Sequence, residues 1–256
     1  MENTKTVKIV IAFVVICIIY MLLIFLLNLS KKDQSSGYII NSNLGGFYCR
    51  NSACEWIRTE EIDLTQSFDV YQRNNLLGSY ELEYASKWNF YQQNEWQEIY
   101  GDFIAISKSL KYEIIPYQIE NFTIEDYKMI QKVLQEKSIE NYTTLNNDFA
   151  YVLDLDKNGT EDKIISVSNQ TEEENTNQYF TLLLIVLNGN VHTIYQEDSL
   201  KSNGFVLPYY SYMEAIKIGN QTKIVVNKSY FNNAGSPSTI LLDVSDNKIT
   251  EETIGE

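Results

Sequence analysis

Asp154-Leu-Asp156-Lys-Asn158-Gly-Thr160-Glu-Asp162 places oxygen-bearing side chains at relative positions 1, 3, 5 and 9, with the Thr160 backbone carbonyl at position 7. Calcium takes six to eight oxygens at about 2.3–2.6 Å, and a loop folding back around an ion presents its donors at alternate positions. Gly159 permits the sharp turn that such a loop needs. The chemistry on offer is therefore cation binding, with Asp154, Asp156, Asn158, Thr160 and Asp162 as the candidate calcium ligands. The same residues also read as a plain hairpin turn, Lys157-Asn-Gly-Thr160, with the aspartates solvated. Lys157 brings a positive charge into the loop in either case.

Cys49 and Cys54 are the second pair. They flank Arg-Asn-Ser-Ala between aromatic and apolar residues, which suggests two short strands joined by a tight turn. A cross-hairpin disulfide there would stabilise the fold by roughly 2 kcal/mol in the chain-entropy model; the alternative is two free thiols. Zinc is excluded, because no second Cys or His pair completes four ligands. His192 is the single histidine, and its setting between Val191 and Thr193 after a turn is that of a strand residue. No G-x-S-x-G, P-loop, H-E-x-x-H or G-x-G-x-x-G sequence occurs, so no catalytic residue is assigned.

The D-x-D-x-[DN]-G-x-x-D spacing resembles the calcium loops of FG-GAP and VCBS-type extracellular modules, which join two strands. The flanks Phe149-Ala-Tyr-Val-Leu153 and Ile164-Ile-Ser-Val167 fit that setting. The resemblance covers about 20 residues and implies calcium as the ion and an extracellular location. The motif occurs once, so the repeated propeller and the adhesive function of those families are not implied. Position 12 is Ile165 instead of an acid, which separates the loop from EF-hands.

These residues sit in a mainly β (α+β) chain. Residues 44–118 contain short aromatic and β-branched runs separated by turns, and read as a small antiparallel β unit of six strands. Alternation in Tyr80-Glu-Leu-Glu-Tyr84 and Phe103-Ile-Ala-Ile-Ser107 predicts strands with one buried and one wet face. Residues 119–256 read as a helix plus a β-meander of seven or eight strands carrying the calcium hairpin. Thr123 is the predicted N-cap with Asp126 at the third helical position, and Phe122 packs on Tyr127 as a staple. Ile124, Tyr127, Ile130, Val133 and Leu134 form the packed face of this amphipathic helix. Trp56, Trp88, Trp96 and Tyr209-Tyr210-Ser-Tyr212 offer either core packing or an exposed platform for sugars or peptides.

Residues 9–27 (IVIAFVVICIIYMLLIFLL) are uncharged and apolar and would span roughly 28 Å as a helix, close to the hydrocarbon thickness. Residues 1–30 are therefore read as a single-pass N-terminal transmembrane anchor and the polar residues 31–43 as a linker. Lys5 and Lys8 balance Lys31 and Lys32 across the span. The short flank carries the terminal amine, and a long acidic domain can be translocated regardless of charge, so the N-terminus is placed inside and the body outside the cell membrane. The Asn-, Ile-, Lys- and Tyr-rich composition is that of an AT-rich bacterium.

The formal net charge is −14, from 34 acidic and 20 basic residues; beyond residue 32 the counts are 33 and 16, a balance of −17. Such a body is repelled by nucleic acid, which is excluded as a partner. The expected function is a membrane-anchored extracytoplasmic binding or envelope-structural module with a protein or glycan partner. The alternative is an anchored hydrolase acting on a cell-wall or glycan substrate.

Overall fold

The computed structural model describes residues 20–21, 35–42, 45–85, 87–93, 95–139, 145–169, 178–200, 207–230, 237–245 and 248–255. The chain divides into two compact units, Met1–Ser35 and Ser36–Glu256. In the first, Tyr20 and Met21 are helical and exposed; the rest of the predicted span over residues 9–27 lies outside the described residues. Among the described residues, no helix is long and apolar enough to cross a membrane.

Short aromatic and β-branched runs separated by turn residues become eighteen strands among the described residues of the second unit. The strands β1 (Ser36–Asn41), β2 (Gly46–Arg50), β3 (Ala53–Ile57), β4 (Ser67–Gln72), β5 (Asn75–Tyr84), β6 (Trp88–Gln92), β7 (Glu95–Gln97) and β8 (Ile104–Ser107) form one sheet, ordered β3-β2-β1-β8-β4-β5-β6-β7. Next in the chain come β9 (Tyr112–Ile114), β10 (Gln118–Asn121), helix α1 (Ile124–Glu136), β11 (Phe149–Leu153), β12 (Asp162–Ser168), β13 (Gln178–Leu187) and β14 (Asn190–Leu200). The last four strands are β15 (Pro208–Ile218), β16 (Gln221–Tyr230), β17 (Ser238–Ser245) and β18 (Lys248–Gly255). A second sheet runs β10-β11-β12-β13-β14 and a third runs β18-β17-β16-β15-β9. Every pairing among the described residues is antiparallel.

Side-chain burial shows how the sheets stack. Val225 and Leu241 of the third sheet pack with Ile39, Phe47, Ile104 and Ile106 of the first. Their neighbours Ile224, Val226, Ile240 and Leu242 pack with Ile164, Leu183 and Ile185 of the second. The third sheet is thus the middle layer and is apolar on both faces, which explains the unbroken runs Ile224-Val-Val226 and Ile240-Leu-Leu242. Helix α1 closes the outer face of the second sheet, with Ile130, Val133 and Leu134 against Ile165, Val167, Phe180 and Leu182.

Several expectations need correction. Residues 36–41, read as part of the linker, form β1 in the interior of the first sheet, where the alternation of Tyr38 with buried Ile39 and Ile40 outweighs the polar residues on either side. The strand β9, assigned to the small N-terminal unit, instead extends the third sheet beside β15, so its residues pair about a hundred positions away. The meander keeps consecutive strands adjacent but is divided between two stacked sheets at the β14–β15 connection. In β8 both faces are buried, because the first sheet has a core on each side of that strand. Tyr80 and Leu82 do alternate with exposed Glu81 and Glu83.

The helix has the cap read from its sequence: the Thr123 side chain accepts from the Asp126 N–H, and Asp126 accepts from the Thr123 N–H at 2.9 Å. Phe122 meets Tyr127 with ring centroids 5.4 Å apart. The buried face is shorter than the apolar stripe, since Ile124 is 69% and Tyr127 43% exposed. Phe122 of the staple packs against the core that α1 forms with the second sheet.

Candidate functional site

The loop between β11 and β12 brings the Asp154, Asp156 and Asp162 carboxylates within 4.8 Å of one another. A run of short hydrogen bonds shapes it. Asp154 accepts from the N–H groups of Asn158 at 3.0 Å and Gly159 at 2.8 Å. The Asn158 side-chain oxygen accepts from the Thr160 N–H at 2.6 Å. Lys157 and Gly159 adopt φ of 60° and 84°, which folds the chain back on itself. Asp162 is fully buried at the base, accepting from the N–H groups of Leu155 and Asn188, each at 2.9 Å. Burial pushes its carboxyl above the usual range, and the charges of Asp156 and Asp154 push the same way.

The donors are hard oxygens, and each ionised carboxylate has about four lone-pair sites, so these hydrogen bonds leave acceptor capacity for a cation. Lys157 does not occupy that space, because its ammonium is paired with Glu113 of β9. Thr160 is exposed. Sequence reading missed Asn188. It donates to Asp156 at 2.7 Å, and its side-chain oxygen accepts from Asn158. The Asn188-Gly189 turn was legible as a hairpin, but its position beside the loop depends on the pairing of β12 with β13.

Cys49 and Cys54 stand opposite each other in the β2–β3 register and are joined by a disulfide, with Cα atoms 4.1 Å apart. His192 lies half-buried in β14 opposite Ile185. The aromatic platform suggested by the sequence does not assemble. Trp88, Tyr210 and Tyr212 are buried, Trp56 packs edge-on against Phe47 at 5.6 Å, and Trp96 is exposed by itself on β7.

A different aromatic surface lies where the three sheets meet. A cleft of about 740 Å³ is lined by Tyr71 and Tyr100 from the first sheet and its loops, Phe149 and Tyr151 from the second, and Tyr212 from the third, with Tyr117 between β9 and β10. Tyr117, Tyr151 and Tyr212 form a packed triad with centroid separations of 5.2, 5.2 and 4.6 Å. Asp102 is the one carboxylate lining the cleft among the described residues, and it accepts from Ser42 at 2.9 Å.

Behind this wall sits Glu214, 1% exposed at the β15 bulge. Its Oε2 accepts from the Asn74 N–H at 3.1 Å, while Oε1 has no hydrogen bond of normal geometry. Burial pushes its carboxyl up to about 7, against the pull of the Asn74 and Ala215 N–H groups. Burial and the nearby Glu214 charge push the Tyr117 phenol up to about 12. No sequence pattern marked the cleft, since its residues come from segments as far apart as Tyr71 and Tyr212.

The chain matches no family model, no curated protein and no solved structure.

Proposed function

We propose that the chain is a membrane-anchored, extracytoplasmic binding module of a bacterial envelope, held by a span over residues 9–27, with the N-terminus inside and the β body outside. The observation that carries this reading is the aromatic cleft. Its volume falls in the range of small-molecule sites, and its lining combines apolar faces with a few polar tips. The disulfide suits an oxidising compartment. The Asp154–Asp162 loop adds a hard-cation site of the kind that calcium orders outside cells, with Asp154, Asp156 and Asp162 as carboxylate ligands joined by Asn158 and the Thr160 carbonyl.

A glycan hydrolase would need two carboxyl groups flanking the scissile bond. Asp102 lines the cleft, whereas Glu214, whose carboxyl burial raises to about 7 so that it holds its proton as a general acid would, is enclosed behind Asn74. That separation favours binding over hydrolysis. The compartment is tested by placing a cysteine at exposed Glu125 of α1 in the full-length chain and treating intact cells with a membrane-impermeant maleimide. Labelling without lysis is expected; labelling only after lysis would sink the reading.

A further inference from the structure

We propose that the cleft binds an acidic saccharide, with Arg73 pairing the sugar carboxylate while the tyrosine faces and the rim amides take the sugar rings. This rests on the binding-module reading and names its ligand class. The first support is the backbone at Arg73. Arg73 and Asn74 form the two-residue β4–β5 turn with φ of 49° and 66°. A turn with both central residues at positive φ favours Asn-Gly, and a long side chain at its first position carries a steric cost. Such strain, where it persists, is held by its surroundings and clusters at ligand sites.

The surroundings here hold it from two sides. Glu214 accepts from the Asn74 N–H, and the Asn74 side-chain amide donates to the Tyr117 carbonyl at 3.1 Å. Next to Arg73 at the base of the same turn, Gln72 donates to the carbonyls of Tyr100 at 2.6 Å and Asp102 at 3.1 Å. The turn that carries Arg73 and the loop that carries Tyr100 are thus fixed in place, and a fixed site loses less entropy on binding.

The sign of the ligand is set locally, against the net negative charge of the body: Arg73 is the one cation among the described lining residues, and the single lining carboxylate, Asp102, already accepts from Ser42. Arg73 lines the cleft beside Tyr117 and Tyr151, whose phenols feel its charge. No carboxylate among the described residues forms an ion pair with it, in a chain of net charge −14 with three arginines. A guanidinium fork matches a carboxylate through two parallel hydrogen bonds. The lining selects the ligand's body. Tyr100, 74% exposed, presents an apolar face with a polar tip, the packed triad of Tyr117, Tyr151 and Tyr212 forms an aromatic wall, and Asn75 and Ser211 add hydrogen-bonding groups to the lining.

The test uses the full-length chain in detergent micelles and calorimetric titration with three probes: a galacturonic acid trisaccharide, its carboxyl-reduced neutral counterpart, and an end-blocked Glu-Glu-Glu peptide. The uronate should bind at least ten-fold tighter than the neutral sugar or the peptide. Arg73→Asn should abolish that preference while melting at the same or a higher temperature, because Asn adopts positive φ more readily than Arg. Tyr100→Ala, at a side chain 74% exposed and outside the core, should weaken both saccharides. Uronate binding no tighter than neutral, undiminished uronate binding by Arg73→Asn, or tighter peptide binding each overturns the assignment. Binding of the neutral sugar or the peptide alone does so while leaving the binding-module reading standing. Failure of Glu125→Cys labelling in intact cells overturns the envelope location in that reading, a result distinguishable from loss of uronate binding in micelles.

Discussion

Glu214 shows how one buried side chain can carry both a cost and a task. Burial raises its carboxyl from 4.5 to about 7, so the folded chain holds this proton where the unfolded chain has lost it. Stability therefore falls as pH rises from about 4.5 to about 7 and is level outside that window, a loss of roughly 3 kcal/mol at most from this group. Tyr117 and Tyr212 stay neutral throughout. Glu214→Gln should match the wild type near pH 4.5, lack the decline, and be the more stable of the two at pH 8 in denaturant titrations. Parallel pH profiles for the two proteins would show that the carboxyl does not titrate in this way. The burial responsible for the shift was invisible in the sequence, where Glu214 stands in Tyr212-Met-Glu-Ala215 like any polar strand residue.

At the scale of elements, the β11–β12 loop is bound to its neighbours more than its local pattern suggests. Leu155 inside the loop is fully buried, and its carbonyl accepts from Thr222 of β16 at 2.7 Å. Lys163, next to Asp162, donates to both oxygens of Asp126 at 2.8 Å, tying β12 to the cap of α1. Ordering the loop with a cation should accordingly be felt across the second sheet. At 10 mM calcium and an affinity on the order of 10⁻⁴ to 10⁻³ M, the stabilisation is about 1–3 kcal/mol, a rise of several degrees in melting temperature. Asp156→Asn should abolish the rise. In calcium-free buffer it should melt no lower than the wild type, because it relieves repulsion among three clustered carboxylates. A wild-type melting temperature indifferent to calcium would leave a plain hairpin turn.

The body as a whole depends on polar ties between layers as well as on apolar faces. Asn41 of β1 donates to Asn227 of β16 at 2.7 Å and to Thr239 of β17, all three buried between the first and third sheets. Lys223 and Asp243 form a second buried pair on that face of the third sheet, 3.3 Å apart. With Ser36–Glu256 as one compact unit, the layers should unfold together. The three tryptophans all lie on strands of the first sheet, so their fluorescence reports that layer, whereas far-ultraviolet circular dichroism reports all three. The two signals should give one coincident transition. Asn41→Leu should shift both together by about 1–3 kcal/mol, the cost of polar groups losing a buried partner. Separate transitions would instead divide the chain near residue 118.

Local chemistry was enough to read the β-rich class, the capping box of α1, the Cys49–Cys54 hairpin and the spacing of the three loop aspartates. Each depends on residues a few positions apart, whose geometry short-range sterics and hydrogen bonding dictate. Only the tertiary structure decided that residues 36–41 enter a sheet, that β8 is buried on both faces, that Asn188 joins the aspartate loop, and that tyrosines from three sheets enclose a cleft guarded by Arg73. Those outcomes depend on which strands pair and which faces stack, and contacts between residues tens of positions apart or more leave no period or spacing in the sequence.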